Sequence, residues 1–203
     1  MRPPTWRRCL VAAAVAAPLL IAPAAAAPGG SHTVVTKTVT DGDDTGGPLD
    51  IVRVRHRVVS DGSHTQLAYA VRVQGPFDDA DLSWRHRHFI VDLDTDGEPG
   101  AEFNVTIFGR DRSLRADLIS NATREVVAHL AVGRIDERTV RVLGPRRLLG
   151  AHKVFWTSNF HRRGIPACGW DDGYPITCQD TAPDRGWIRL DPIAWPDSAS
   201  DEV

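Results

Sequence analysis

The stretch IVRVRHRVVSDGSHTQLAYAVRV (residues 51–73) decides the fold class of this 203-residue chain. Apolar and polar residues alternate through both of its halves, which predicts two β-strands that each bury one face. The series expected to be buried are Val52, Val54, His56 and Val58 in the first half, and Leu67, Tyr69, Val71 and Val73 in the second. Asp61-Gly62 is a turn signal between them, so an antiparallel pair is expected.

The same period of two continues on both sides of this stretch, and nothing indicates a long amphipathic helix. The further apolar series are Val34–Thr40, Phe89–Leu93, Phe103–Ile107, Leu114–Leu118, Val126–Val132, Val140–Val142 and Val154–Phe160. About nine strands are therefore expected, at a spacing typical of sandwiches and barrels. We predict an all-β fold, an antiparallel β-sandwich of jelly-roll or Ig-like type.

The segment Gly164–Pro196 differs in composition, because Gly, Pro, Asp and Trp are frequent in it. It contains Cys168 and Cys178, the only cysteines beyond the N-terminal region. In an oxidising compartment such a pair predicts a disulfide. We expect a long ordered loop, stapled by this disulfide, that closes one end or side of the domain.

The N-terminal residues have the layout of a secretory signal peptide. Residues 1–8 carry three arginines and no acid, Leu10–Ile21 is apolar, and residues 24–26 are the alanines that a signal peptidase needs. We predict cleavage after Ala26 and a secreted, extracellular protein, exported by the general route or, given Arg7-Arg8, by the twin-arginine route. A stable membrane anchor is not expected, because prolines interrupt an apolar stretch that is mostly alanine.

The mature chain, residues 27–203, is expected to form a single domain with its core at about 33–196. The loss of three arginines with the signal peptide changes the formal net charge from −2 to −5. Such a charge does not suit a nucleic-acid-binding protein. The chain has no Gly-rich nucleotide-binding motif and no Gly-x-Ser-x-Gly motif, so neither a nucleotide cofactor nor a catalytic residue is predicted.

The segment 92–97, Asp-Leu-Asp-Thr-Asp-Gly, is the sharpest local signal. Acids at alternate positions before a glycine match the opening of calcium-binding loops, where several oxygens converge on one cation. The match ends at the twelfth position, which holds Phe103 instead of Glu, and a plain acidic β-turn is the alternative. The predicted calcium ligands are Asp92, Asp94 and Asp96, joined by Asp43 and Asp44 from another loop.

The same predicted strand carries a second metal-binding pattern. Alternate side chains of this strand are expected to share one face, namely Trp84, His86, His88, Ile90, Asp92 and Asp94. The candidate metal ligands among them are His86, His88 and Asp92. Two imidazoles and a carboxylate can hold a transition metal, which makes a metal-dependent hydrolase an alternative. No His-Glu-x-x-His motif supports it, and histidines on a solvated strand face are common.

Arg53, Arg55 and Arg57 form a basic stripe opposite the valines of the first strand. A solvated outer face explains the stripe, although it could also meet phosphate or uronate groups. Nucleic-acid binding would require interleaved aromatic residues, which this strand lacks.

The C-terminal segment combines aromatic residues with acids. Indole and phenol rings stack on pyranose faces and carboxylates hold sugar hydroxyls, so a carbohydrate-binding surface is one hypothesis. Packing of the rings onto the sandwich is the other. The candidate ligand-binding residues are Trp170, Tyr174, Trp187, Trp195, Asp171 and Asp172.

Two segments within residues 39–110 resemble known proteins: Asp41-Gly42-Asp43-Asp44 leading to Leu49-Asp50-Ile51, and His88–Gly97. Together they resemble family 9 carbohydrate-binding modules and the wider DOMON-like β-sandwiches, and are similar to small secreted actinobacterial proteins. The resemblance implies a sandwich, with sugar or haem bound in some relatives and calcium in others. Only the opening acids and Asp92–Asp96 carry over. Haem ligation by Met and His is excluded, because the chain beyond residue 26 has no Met.

These observations predict a non-catalytic secreted domain that binds an extracellular ligand, with polysaccharide or cell-wall glycan as the leading candidate and calcium as a possible stabiliser. The alternatives are a structural or interaction domain without a small ligand, and the metal-dependent hydrolase.

Overall fold

A computed structural model describes residues 32–42, 45, 47–60, 65–84, 87–160, 170–171, 174–175 and 178–190. The predicted signal peptide and its cleavage site lie outside these residues. The described strands are β1 (His32–Thr40), β2 (Ile51–Ser60), β3 (Thr65–Val73), β4 (Arg87–Asp94), β5 (Phe103–Arg110), β6 (Ser113–Ser120), β7 (Val126–His129), β8 (Ala131–Asp136), β9 (Thr139–Pro145), β10 (Lys153–Phe160), β11 (Trp170–Asp171), β12 (Tyr174–Pro175), β13 (Cys178–Ala182) and β14 (Ile188–Arg189). A 3-10 helix (Asp79–Asp81) and one α-helical turn, α1 (Arg146–Leu149), accompany them.

The strands form two large antiparallel sheets, which confirms the predicted all-β fold. Sheet A has the order β1-β2-β3-β9-β8, and sheet B has the order β13-β10-β4-β5-β6-β7, with β14 also paired to β10. The described strands form no closed barrel. Strands β11 and β12 form a separate short hairpin. In the described part of the chain, no helix has the length and apolar character needed to cross a membrane.

The core lies between the two sheets and follows the predicted alternation. Val54 and Val71 of sheet A, and Phe89, Val91 and Trp156 of sheet B, are 0% exposed. Burying one such aliphatic or aromatic side chain contributes about 1.5–3 kcal/mol, so this apolar layer dominates the stability of the fold. Alternate residues of the same strands face outward and form the two outer faces.

The predicted pattern is wrong at the start of β2. Ile51, and not Val52, is buried there, at 0% exposure. The pairing of β2 with β3 shifts register between Ile51 and Arg53. A bulge of this kind adds one residue to one strand, so the residues before it point to the opposite face from the expected one.

The apolar series at residues 126–132 is divided between the two sheets. Strand β7 pairs with β6 in sheet B, whereas β8 pairs with β9 in sheet A. Leu130 lies between them, 9% exposed, and its backbone N–H donates to the Ala116 carbonyl at 2.8 Å. The chain therefore changes sheets at Leu130.

The C-terminal segment contains more regular structure than the predicted loop. Strand β13 pairs with β10 from Trp156↔Ala182 to Phe160↔Cys178 and extends sheet B at its edge. Cys178 is buried at 3% exposure. Cys168 lies outside the described residues, so the Cys168–Cys178 disulfide stays a prediction.

Candidate functional site

The outer face of sheet B is a strip of polar side chains that three adjacent strands build together. The register of β4, β5 and β10 places Asp92 beside Asn104 and Phe155, and His88 beside Asn159. Ile90 occupies the middle of the strip. Its members are His88, Ile90 and Asp92 from β4, Asn104 and Thr106 from β5, and Phe155, Thr157 and Asn159 from β10.

An exposed tryptophan lies at each end of this strip. Trp84 is 48% exposed, and its ring stacks near His88 with a centroid distance of 6.5 Å. Trp187 is 37% exposed, and its ring lies 5.8 Å from that of Phe155. His88 and Asp92 are four residues apart on β4, so the strip extends about 13 Å along the strand between these two side chains.

Several polar groups of the strip are held in place by one another. The Asn159 amide donates to His88 Nε2 at 3.3 Å. The Thr106 hydroxyl donates to Asn104 Oδ1 at 2.9 Å. The Asn104 amide in turn donates to Asn121 Oδ1 at 2.7 Å. Thr106 and Thr157 are buried, at 5% and 4% exposure. The half-buried side chains of Asp92, Asn104 and Asn159 are therefore the polar groups that can recognise a ligand with apolar faces and hydroxyl groups.

Burial changes the ionisation of two members of the strip. It lowers the pKa of His88, because desolvation penalises the imidazolium. It raises the pKa of Asp92, because desolvation penalises the carboxylate. The strip therefore offers a neutral imidazole at neutral pH and, at its other end, a carboxyl group whose charged form is disfavoured by burial.

No protein-family model, curated protein or solved structure matches this chain. The resemblance to family 9 carbohydrate-binding modules and DOMON-like sandwiches accordingly stays a prediction, and the functional argument rests on the geometry of the chain itself.

Among the predicted sugar-binding residues, Trp187 alone has a described side chain, and it lies at the strip. The β11–β12 hairpin contains Trp170, Asp171 and Tyr174, of which the structure describes only the backbone. Asp172 and Trp195 lie outside the described residues. The pattern of the sequence did not assign Trp84 or Phe155 to a sugar site.

The predicted strand face around Trp84 and His88 is partly different in the structure. Ser83 and Arg87 are bridged, with the Ser83 N–H donating to the Arg87 carbonyl at 2.6 Å. Trp84 therefore sits in a turn before β4, and only its ring reaches back to His88. His86 lies outside the described residues. His88 and Asp92 are four residues apart, which is about 13 Å along the strand, and this distance is too long for both side chains to bind one metal ion.

The acidic turn between β4 and β5 brings three carboxylates together. Ligand atoms of Asp94, Asp96 and Glu102 lie within 4.8 Å of one another. Glu102 was missing from the predicted set and arrives through the hairpin, because its N–H donates to the Leu93 carbonyl at 3.1 Å. Asp92 belongs to the strip instead, and Asp43 and Asp44 lie outside the described residues.

The turn is already ordered by its own hydrogen bonds. Lys153 Nζ lies 2.9 Å from Asp94 Oδ2 and donates to the Gly97 carbonyl at 3.1 Å. The Thr95 N–H donates to Glu102 at 2.6 Å, and this bond holds the pKa of that carboxyl below its usual value. The single positive charge of Lys153 offsets one of the three acidic side chains, so the turn keeps a net negative formal charge.

Two further ionisable groups are buried between or beside the sheets. His56 accepts a hydrogen bond from Trp156 Nε1 at 2.9 Å, and its ring lies edge-on to Tyr69 at 5.0 Å. Desolvation, followed by the charge of Lys37, lowers the pKa of His56 to about 3. The imidazole is thus a neutral, hydrogen-bonded part of the core.

Asp180 ties β13 to the start of β2. Its carboxylate accepts from the Ile51 N–H, from the Thr45 hydroxyl at 3.0 Å and from its neighbour's N–H, that of Thr181, at 2.9 Å. Burial raises its pKa to about 6 against these hydrogen bonds, with a further contribution from the charge of Asp50. The segment Asp50-Ile51, on which part of the predicted resemblance rests, therefore links β2 of sheet A to β13 of sheet B.

Proposed function

We propose that this protein is a secreted, non-catalytic β-sandwich domain that binds an extracellular carbohydrate on the outer face of sheet B. The observation that carries the proposal is the pair of exposed indoles, Trp84 and Trp187, at the two ends of an ordered polar strip. Rings of this kind cover the C–H faces of sugars, while the amide and carboxyl groups between them hydrogen-bond to sugar hydroxyls.

The strip suits an extended chain better than a single small ligand. It follows the direction of the strands and extends about 13 Å from His88 to Asp92, with an indole near each end. A run of several pyranose rings would contact both indoles at once. Polysaccharide or cell-wall glycan is therefore the ligand class that we propose.

Export and the disulfide belong to the same proposal. A jelly-roll or Ig-like sandwich whose C-terminal segment is stapled by Cys168 and Cys178 would suit an oxidising, extracellular setting. Strand β13, which begins at Cys178, adjoins β10 of the binding strip. A staple at Cys178, which lies opposite Phe160, would hold β13 against the His88–Asn159 end of the strip.

Affinity electrophoresis through gels that contain neutral polysaccharides tests the binding proposal. We expect Trp84→Ala and Trp187→Ala each to weaken retention on the bound glycan about tenfold, equivalent to about 1.4 kcal/mol. Val127→Ala is the matched control, because Val127 is 50% exposed on β7, away from the strip. A folded protein retained by none of these glycans would favour the structural or interaction domain.

We further propose that calcium stabilises the domain through Asp94, Asp96 and Glu102. The proximity of these three acids supports it, since a hard cation would relieve their repulsion and gather their oxygens. Calcium would compete with Lys153 for Asp94. The measurement is the melting temperature with calcium and with chelator.

A further inference from the structure

The outer face of sheet A, on the opposite side of the sandwich, carries a groove of about 200 Å³. We call it the arginine groove. It runs over β2, β3 and β9, and the arginines that line it are Arg53, Arg55, Arg57, Arg72 and Arg141. The binding strip on sheet B does not use any of these residues.

Two alanines of the central strand form the floor of the groove. Ala68 and Ala70 face outward from β3, yet they are 2% and 9% exposed. The register places Ala70 between Arg55 on β2 and Arg141 on β9. With neighbouring strands about 4.8 Å apart, these two arginines flank the alanine at a separation of about 10 Å between their backbones. The small alanine side chains leave space above the sheet. Alanine has a low propensity for β-strands, so this space is kept at a cost in strand stability.

The walls of the groove are strongly cationic. Five arginines and one aspartate line it, and the aspartate is engaged, since Arg72 lies 2.9 Å from Asp136. No carboxylate of the described residues forms an ion pair with Arg53, Arg55 or Arg141. Arg53 also lies directly opposite Arg72 in the register, an arrangement of like charges that destabilises a sheet. This excess of positive charge occurs in a chain whose formal net charge is −2.

The chemistry of the groove selects an anion that repeats along a chain. Guanidinium groups bind carboxylates through two parallel hydrogen bonds. Arg53, Arg55 and Arg57 alternate along β2 and so recur about every 6.7 Å. A polymer with regularly spaced anions could engage several of them at once.

The apolar part of the lining favours a sugar backbone. Val59 and Ile135, the latter 54% exposed, stand beside the alanine floor. They offer contacts to C–H faces of sugar rings, which an inorganic phosphate polymer lacks. None of the described residues that line the groove is aromatic, whereas proteins stack nucleic-acid bases on aromatic rings.

We propose that the arginine groove is a second binding site and that its ligand is an acidic polysaccharide with repeating uronate carboxylates. The site is independent of the proposed sugar strip, because the two lie on opposite outer faces. A domain with both sites would hold a neutral and an acidic glycan at the same time.

Binding of polygalacturonate, measured by titration calorimetry on the mature protein, tests this proposal. The matched neutral ligand is the same polymer with its carboxylates methyl-esterified. We expect the acid form to bind and the ester to bind at least tenfold more weakly. Raising the salt to about 1 M should abolish binding, because the screening length falls to about 3 Å.

Variants locate the site within the protein. The double variant Arg55→Gln/Arg141→Gln should weaken polygalacturonate binding about tenfold or more, since it removes both charges beside the floor. Ala70→Leu keeps every charge and fills the floor, and should weaken binding without lowering the melting temperature. Arg110→Gln is the control, because Arg110 ends β5 of sheet B and lies outside the groove.

Each result decides the proposal. Weaker binding by the double variant and by Ala70→Leu, with Arg110→Gln unchanged, supports it. Equal binding of the acid and ester polymers, or unchanged binding by the double variant, overturns it. Tight binding of inorganic polyphosphate without binding of polygalacturonate would also overturn it and would assign the groove to phosphate chains. Loss of neutral-glycan binding in the Trp84 or Trp187 variants bears on the sheet B strip alone.

Discussion

The buried imidazole of His56 should make the folded state sensitive to mild acid. In the unfolded chain it has an ordinary pKa of 6.5, whereas in the core its pKa is about 3. Between these values the unfolded state binds a proton that the folded state does not bind. Stability is therefore fully present above pH 6.5 and declines as the pH falls toward 3.

The size of this effect follows from proton linkage. Between pH 7 and pH 5 the His56 term lowers the free energy of unfolding by about 2 kcal/mol. The result at pH 5 hardly depends on the folded pKa, provided that this pKa lies below about 4. Asp180 acts in the opposite direction: its raised pKa of about 6 favours the protonated folded state, so its term gains about 1 kcal/mol over the same interval.

His56→Gln separates the two terms. The glutamine carbonyl can still accept the hydrogen bond from Trp156 Nε1, but the side chain no longer titrates. We expect the variant to lose about 2 kcal/mol less than the wild type between pH 7 and pH 5. The assay is urea unfolding followed by tryptophan fluorescence at pH 7, 6 and 5, fitted with a common m-value.

The control is His152→Gln, since His152 is exposed and its side chain forms no ion pair with another described residue. This variant should retain the pH dependence of the wild type. If the free energy of unfolding falls by the same amount in His56→Gln and in the wild type on acidification, His56 is not a neutral, desolvated histidine in the core.

Three further predictions concern the turn, the disulfide and export. Calcium at a hundredfold excess over its dissociation constant should raise the melting temperature by several degrees. Asp96→Asn should remove most of that rise, whereas the control Asp111→Asn, in the β5–β6 turn, should leave it unchanged. Equal melting curves with calcium and with chelator would show that the acidic residues form a turn without a calcium site. Thiol labelling under denaturing conditions should find Cys168 and Cys178 unreactive until reductant is added, and labelling of both beforehand would refute the disulfide. N-terminal sequencing of protein from the culture supernatant should begin at or near Ala27, and an intact N-terminus in the membrane fraction would contradict export.

The local alternation predicted the core side chains of the long strands, except at the start of β2, where Ile51 is buried in place of Val52. Val54, Tyr69, Phe89 and Trp156 all belong to apolar series of period two, and all are buried. A strand pattern states which face is apolar, and it does not state which other strand pairs with it. The chain's change of sheets at Leu130 was for that reason not predictable from a continuous apolar series.

The same limit applies to the candidate sites. Asp94 and Asp96 are adjacent in the pattern and were predicted together, whereas Glu102 joins them only through the β4–β5 register. Phe155 reaches the strip through the pairing of β10 with β4. The groove over Ala70 likewise needs β9, which is distant in sequence from the β2–β3 pair and supplies Arg141 and Thr139 to its lining.

Hydroxyl-radical footprinting with and without a retained neutral glycan tests the central claim most directly, because it reports which side chains the ligand covers. The account predicts that oxidation of Trp84 and Trp187 falls together at saturation, while exposed His129 remains as reactive as before. Unchanged oxidation of both indoles, with protection confined to Trp170 or Trp195, would contradict a binding site on the outer face of sheet B.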